Sequence, residues 1–220
     1  SPRHRSRCLG SLSSAPFFPA GTIHVSVVDP DVGTNRRAIL IETEKGLLLG
    51  PDNGMLVWAA NAMGPQRYFA IENTPYRLGP PGLTFDGRDL FAAVAGHIAT
   101  GVAHQTIGEE VPAIVELSWP EPVVGNGRIE GEVLLDDRFG NLVTNIPAAT
   151  LGSVFGDSAM LITLDGRPVG GLSRGYSAIE GHLGAVINGA GLLEIAVPEG
   201  SAAVLTGGRR CDRVIVTGRV

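Results

Sequence analysis

The sequence has little sulfur, little charge and almost no lysine. Its two cysteines, Cys8 and Cys211, stand near opposite ends of 220 residues. Neither has metal-ligand spacing, and two such cysteines make no disulfide framework, so a reducing cytoplasm is the expected location. No apolar run approaches the length of a membrane span, which argues against a membrane partner. The opening SPRHRSRCLG has no initiator Met, no signal-peptide core and no strand pattern, so a fragment of a longer protein is expected. Of the 17 basic side chains only Lys45 is a lysine, which reads as genomic composition bias. Charged residues make up 18% of the chain and the net charge is −5, which argues against a nucleic-acid partner. Internal repeats and low-complexity tracts are lacking too.

What is present is apolar: 44% of residues, enough for a real core in one large domain or two modest ones. The chain is organised around Gly21–Arg37, GTIHVSVVDPDVGTNRR. Ile23, Val25 and Val27 alternate with Thr22, His24 and Ser26, which predicts a strand over Ile23–Val28. Asp29-Pro30 stops it, because proline cannot donate to a ladder. Asp29 thus sits at the carboxyl end of a strand, where open α/β sheets bind ligands, and Arg36 returns nearby. A turn aspartate held by local amides, with a surface arginine beside it, is the competing reading.

Further along, Ala38–Glu42 and Gly46–Leu49 predict a hairpin, and Met55–Met63 is helix-compatible. Asp52 and Asn53 then fall at a strand-to-helix junction, where capping is the simple role for either. Tyr68–Ile71 is a short strand and Thr74–Leu83 a loop. In TFDGRDLFAAVAGHIATG, Leu90, Phe91, Val94, Ile98 and Val102 share one helical face. This puts Asp86 at the helix N-terminus, as a cap, a dipole partner or a site carboxylate. Ser118–Gly127 breaks the pattern and marks a boundary, giving domains 1–120 and 121–220. Beyond it come short strands at Ile129–Leu135, Leu142–Ile146, Ala159–Leu164, Gly184–Ile187, Leu192–Val197 and Val214–Val216. That is the pattern of an all-β barrel or sandwich. Asp29, Asp31, Asp52, Asp86 and Asp89 together also admit a divalent-cation phosphoesterase, although no histidine joins them.

Taken together, VVDPDVGTNRR, GPDNGML, TFDGRDLF, DDRFGNLVTNI and NGAGLLEIAVPEGSA resemble the S-adenosylmethionine hydroxide adenosyltransferase family, the hydrolase branch related to fluorinases and chlorinases. The resemblance runs from about Ser14 to Val216. It implies an α/β N-terminal domain with a mostly parallel sheet, incomplete at its start, followed by a C-terminal β-barrel. It implies a homotrimer with sites between subunits, and attack by water on the ribose C5′ of S-adenosylmethionine to give adenosine and L-methionine. S-adenosylmethionine is then the substrate, with neither cofactor nor metal.

The same resemblance places Asp29 and Arg36 in the catalytic set. Asp86 stands where the family's TFHGRD motif has histidine. Asn53, Phe85 and Gly87 fall among the substrate-binding positions of the first domain, and Gly87 matches the hydrolase branch. In the second domain Asp136 corresponds to the residue holding the methionine moiety, Asn141 faces the adenine and Phe139 packs nearby. Asn188, in Asn188-Gly189-Ala190, replaces a serine-rich stretch. The family opens with a strand carrying a TDFG-like ribose clamp, and this chain begins downstream of it. With Asp86 for histidine, two carboxylates would flank one water and repel, with Arg36 or Arg88 as the cation to offset them, so an impaired enzyme or a non-catalytic binding member is also implied.

Overall fold

The computed structural model describes residues 14–71, 74–79, 84–116 and 120–218. These divide into two units, one on each side of 117–119. Cys8 and the start of the expected Ser118–Gly127 boundary lie outside the described residues.

The first unit contains β1 (Thr22–Val25), β2 (Ala38–Thr43), β3 (Gly46–Pro51), β4 (Gln66–Ala70) and β5 (Glu109–Val111). They form a five-stranded sheet in the order β1-β3-β2-β4-β5. Both faces are apolar, because successive side chains of a strand point to opposite sides. Ile39, Ile41 and Leu48 pack on one side with Met55, Leu56, Ala59 and Met63, around helix α1 (Val57–Ala62). Ala38, Leu40 and Leu49 pack on the other with Phe69, Leu90, Phe91 and Val94. Those last three come from a π-helical segment, Gly87–Ala92, that runs into α2 (Ala93–Ala99). Ile98 and Val102 join the same cluster, so the face predicted from spacing is the buried one.

The unit is α/β as expected, but its sheet is mixed rather than mostly parallel. Only β1 and β3 run parallel; β2 is antiparallel to both β3 and β4, and β4 to β5. The short Glu44-Lys45 turn between β2 and β3 forces this, since parallel neighbours need a long crossover. At Gly50 a Cβ would collide with the Ser26 carbonyl oxygen, so glycine lets the chain after β1 lie close to the end of β3. The Ser26 amide donates to the Leu49 carbonyl there at 2.9 Å. The strand is shorter than predicted, but this contact carries its direction onward to Asp29.

Strand β1 also carries His24, whose ring meets Phe18 edge-on at 5.3 Å and whose Nε2 is buried without a hydrogen-bond partner. Burial lowers its pKa below the usual value of about 6.5. Between those two values the unfolded chain binds more protons than the folded one, so stability falls as pH drops below about 6.5. Replacing His24 by Gln is expected to flatten that part of a pH series of chemical melts. An unchanged slope would assign the acid sensitivity to other groups.

The second unit contains β6 (Val123–Gly125), β7 (Arg128–Asp136), β8 (Leu142–Pro147), β9 (Met160–Leu164), β10 (Arg167–Val169), β11 (Gly184–Ile187), β12 (Leu192–Ala196) and β13 (Arg213–Gly218). The order is β10-β9-β13-β7-β8-β12-β11, with β6 beside β7. The chain after β10 then meets β11: Leu172 bridges Ala185, and the Ser173 amide donates to the Ala185 carbonyl at 2.8 Å. This bends the sheet into a nearly closed barrel and covers its open edges. Ile129, Val133, Ile146, Ile162, Leu193, Ile195, Val214 and Val216 fill the core. Two short helices, α3 (Ala148–Phe155) and α4 (Ala202–Thr206), interrupt an otherwise β unit. No helix among the described residues is long and apolar enough to cross a membrane.

Candidate active site

One end of the first sheet gathers charge. Asp29 follows β1, Arg36 and Arg37 precede β2, and Asp52 follows β3. Strand β4 ends at the same side, since Ala70 pairs with Ile39, and it leads toward Arg77. The start of the π-helical segment supplies Asp86.

Arg36 is the hub. Its Nε donates to Asp29 Oδ2 at 2.8 Å, and its Nη2 donates to the same oxygen and to Asp86 Oδ2, the latter at 2.6 Å. Asp86 Oδ1 accepts from Arg77 Nη1 at 2.8 Å. All four side chains are largely withdrawn from solvent, with Asp29 5% and Arg36 11% exposed. Burial works against the Arg36 charge, but hydrogen bonds and attraction from Asp29 and Asp86 outweigh it and raise its pKa. The guanidinium therefore stays charged and fixes Asp29 by one oxygen. The other, Asp29 Oδ1, is buried with no hydrogen-bond partner. An oriented carboxylate with one free lone-pair oxygen is suited to accept a proton from a bound water.

Asp29 and Asp86 do lie close together, and of the two arginines expected to offset their repulsion Arg36 stands between them while Arg88 pairs with Asp89. Asp86 stands at the N-cap position of the π-helical segment, but its side chain makes no capping hydrogen bond. Asp52 departs from the capping reading as well. It accepts from Arg37 Nε at 2.8 Å and from the Val115 amide at 2.7 Å, and Arg37 reaches the Ala113 carbonyl at 3.0 Å. The pair thus ties the 113–115 segment to the sheet end.

Asn53 donates to the Val28 carbonyl at 2.9 Å and accepts from the Met55 amide at 3.2 Å, which steadies the residue before Asp29. Phe85 is 60% exposed beneath the Arg88 guanidinium. A Cβ at Gly87 would meet only Val27 side-chain atoms, at 3.6 Å or more, so a small side chain fits there. Asp89 is bound by Arg88, and among the described residues no group of three or more His, Cys, Asp and Glu is arranged to hold a metal ion. The carboxylates grouped in the cation reading are mostly engaged by arginine instead.

The second unit has its own cavity, of about 700 Å³ and open to solvent, lined by Asp137, Phe139, Asn141, Tyr176, Pro198 and Ser201 among others. Phe139 and Asn141, expected beside the adenine, are among the residues that line this cavity. Asp136 is exposed at the end of β7 and does not line the cavity; its neighbour Asp137 does. Asp137 builds the loop by accepting from the Phe139 amide at 2.8 Å, the Asn141 amide at 2.9 Å and the Asn141 side chain at 3.2 Å. Gly140 lies at φ 83°, and a Cβ there would run into the Ser201 side chain, so the tight motif turn needs glycine.

Asn188 is bonded within its own turn and to β12. Its Oδ1 accepts from the Ala190 and Leu192 amides at 2.9 and 3.1 Å, and its Nδ2 donates to Glu194 at 3.0 Å. The second oxygen of buried Glu194 accepts from the Tyr176 hydroxyl at 2.7 Å. Desolvation, then that bond and the carboxylate charge, raise the Tyr176 pKa, so the hydroxyl stays protonated and its ring is held at the cavity wall. Sequence reasoning missed Tyr176, Glu194 and Arg77. A lone Tyr in a Gly-rich loop carries no pattern, but a Glu inside the apolar run LLEIAV is a visible anomaly.

The order of these features along the chain matches a known pair of domains. Residues 8–108 match the SAM hydroxide adenosyltransferase N-terminal domain, and residues 131–215 match its C-terminal domain. The chain belongs to this family. Within it, the chain is similar to proteins named (R)-S-adenosyl-L-methionine hydrolase. One from Thermus thermophilus is 38% identical over 87% of this chain and 74% of the relative. Another from Salinispora tropica is 35% identical over 93% and 77%. Among solved structures, an uncharacterised conserved protein of Thermotoga maritima superposes with a TM-score of 0.80 at 30% identity, covering 94% of this chain and 84% of that one. A more distant family branch shows in a fluorinase of an Actinoplanes species, 26% identical over 59% of this chain and 53% of the relative.

Proposed function

We propose that this chain hydrolyses S-adenosyl-L-methionine to adenosine and L-methionine. The observation that carries the reading is the Asp29–Arg36 pair with Asp29 Oδ1 left free. Water oxygen attacks C5′ in line with the C5′–S bond. That bond breaks with its electron pair passing to sulfur, and the sulfonium becomes a neutral thioether. The leaving group needs no acid, so the one proton to be handled is the water's, which passes to Asp29 and then to solvent. The hydrolase names of the relatives support the substrate.

S-adenosylmethionine is the substrate and no cofactor or metal takes part. Asn53 and Gly87 shape the first half of the site; Phe85, Phe139 and Asn141 bind the nucleoside, and Asp136 the methionine end. The assembly is a homotrimer with sites shared between subunits. Exposed Phe85 and Phe139, at 60% and 63%, support a surface completed by another chain. Free, exposed Cys211 supports a cytoplasmic location.

The test is product analysis in ¹⁸O-labelled water. Adenosine and methionine in equal amounts, with label in the 5′-hydroxyl, are expected. Release of methylthioadenosine would overturn the C5′ assignment. Binding without turnover would support the non-catalytic reading.

A further inference from the structure

Arg77 is the member of the charged network without an assigned role. It lies in the 74–79 segment, 9% exposed, and its Nη1 holds Asp86 Oδ1 at 2.8 Å. Its Nε is buried with no hydrogen-bond partner. A guanidinium at this depth is costly to desolvate unless its partner is well placed. The partner here is a carboxylate that already serves Arg36 through its other oxygen, at 2.6 Å. Asp29, Arg36, Asp86 and Arg77 form an alternating chain of charges with no formal excess.

Without Arg77 that balance changes. Two carboxylates would compete for one guanidinium. Their bonded oxygens share Arg36 Nη2, so they lie within about 5 Å of each other. Asp86, with an oxygen released, can turn and take Arg36 in the favoured two-bond geometry. Arg36 Nη2 would then be drawn from Asp29 Oδ2 and the Nε bond displaced with it, so the free oxygen of Asp29 would lose its fixed direction. Neighbouring charges offer no substitute. Arg88, the nearby cation, is taken up by Asp89 with bonds of 2.6 and 3.0 Å.

We propose that Arg77 is a positioning residue for the hydrolysis. By holding Asp86 through Oδ1, it limits Asp86 to a single bond from Arg36 and leaves that guanidinium to orient Asp29. The inference rests on the C5′ hydrolysis reading for its kinetic consequence but not for its structural one.

The experiment compares the parent with Arg77→Met, Arg77→Lys and the double variant Arg77→Met/Asp86→Asn. Arg77→Met is expected to lower kcat about 10²-fold, the scale of a misdirected catalytic group, with KM within about twofold. Arg77→Lys keeps the charge and a donor and should recover most of the loss. The double variant should recover part of it, because the neutral amide replacing the Asp86 carboxylate no longer competes for Arg36. An unchanged kcat in Arg77→Met, or a raised KM with kcat unchanged, would overturn the proposal. A second readout is the NMR resonance of Arg36 Nε–H, which reports its bond to Asp29 whether or not substrate turns over. It should shift in Arg77→Met and return in Arg77→Lys. An unmoved resonance in Arg77→Met overturns the positioning role even if the parent cleaves nothing; a shifted one in an inactive parent overturns only the hydrolysis reading.

Discussion

Asp29→Asn is expected to lower adenosine release from S-adenosylmethionine by about 10²–10⁴-fold, the usual contribution of a general base. The substitution is nearly isosteric. Asn can still accept from Arg36 through its carbonyl oxygen, and Arg36 keeps Asp86 as an ionic partner at 2.6 Å. Burial and packing change little, so the loss should fall on kcat, with KM close to the parent's. The free Oδ1 position is what changes: a carboxylate oxygen that can take a proton becomes an amide group that cannot. The measurement is steady-state kinetics with chromatographic quantitation of both products, beside a melt showing that the variant is folded. A drop of less than about threefold would mean that proton transfer to Asp29 is not part of the slow step.

The Asp29–Arg36 relation was legible because it is local. A strand, a Pro-stopped turn and a return bring residues seven apart together, and every step leaves a mark in the sequence. Asp86 was legible as a position but not as an interaction. Its partners, Arg36 and Arg77, are 50 and 9 residues away, and neither approach follows from periodicity. The same limit explains Tyr176 and Glu194, 18 residues apart and joined only by barrel closure.

Among the elements, strands with an apolar period were read to within a few residues. β5, β6 and β10, three residues each, are too short to show one. The helix Ala148–Phe155 follows a proline and contains Thr and Gly, so its propensity is weak; burial of Leu151 and Phe155 in the barrel core stabilises it instead. In α4, Ser201 caps the helix by accepting from the Val204 amide, but five residues are too few to show a helical period.

Asp86→His restores the residue of the family motif, yet here it is expected to reduce both stability and activity. Asp86 accepts from two buried guanidiniums, one through each oxygen. A neutral imidazole has a single acceptor nitrogen and no charge, so Arg77 would lose the counter-charge of its ion pair while Arg36 keeps Asp29. A protonated imidazole would place a third positive charge between two others. Removing one partner of a buried pair costs about 3–5 kcal/mol, because the remaining charge stays desolvated. For a chain of this size that corresponds to a fall in Tm of about 10 °C. Adding Arg77→Met to Asp86→His removes the stranded cation and leaves the imidazole free to accept from Arg36. The double variant should therefore melt higher than Asp86→His alone and hydrolyse S-adenosylmethionine faster than it does. The comparison needs melts and product release for parent, both single variants and the double. If Asp86→His alone matches the parent in Tm, the two arginines do not depend on that carboxylate. If the double is no better than Asp86→His, Asp86 and Arg77 act separately, and the motif histidine is excluded here for a reason other than charge balance.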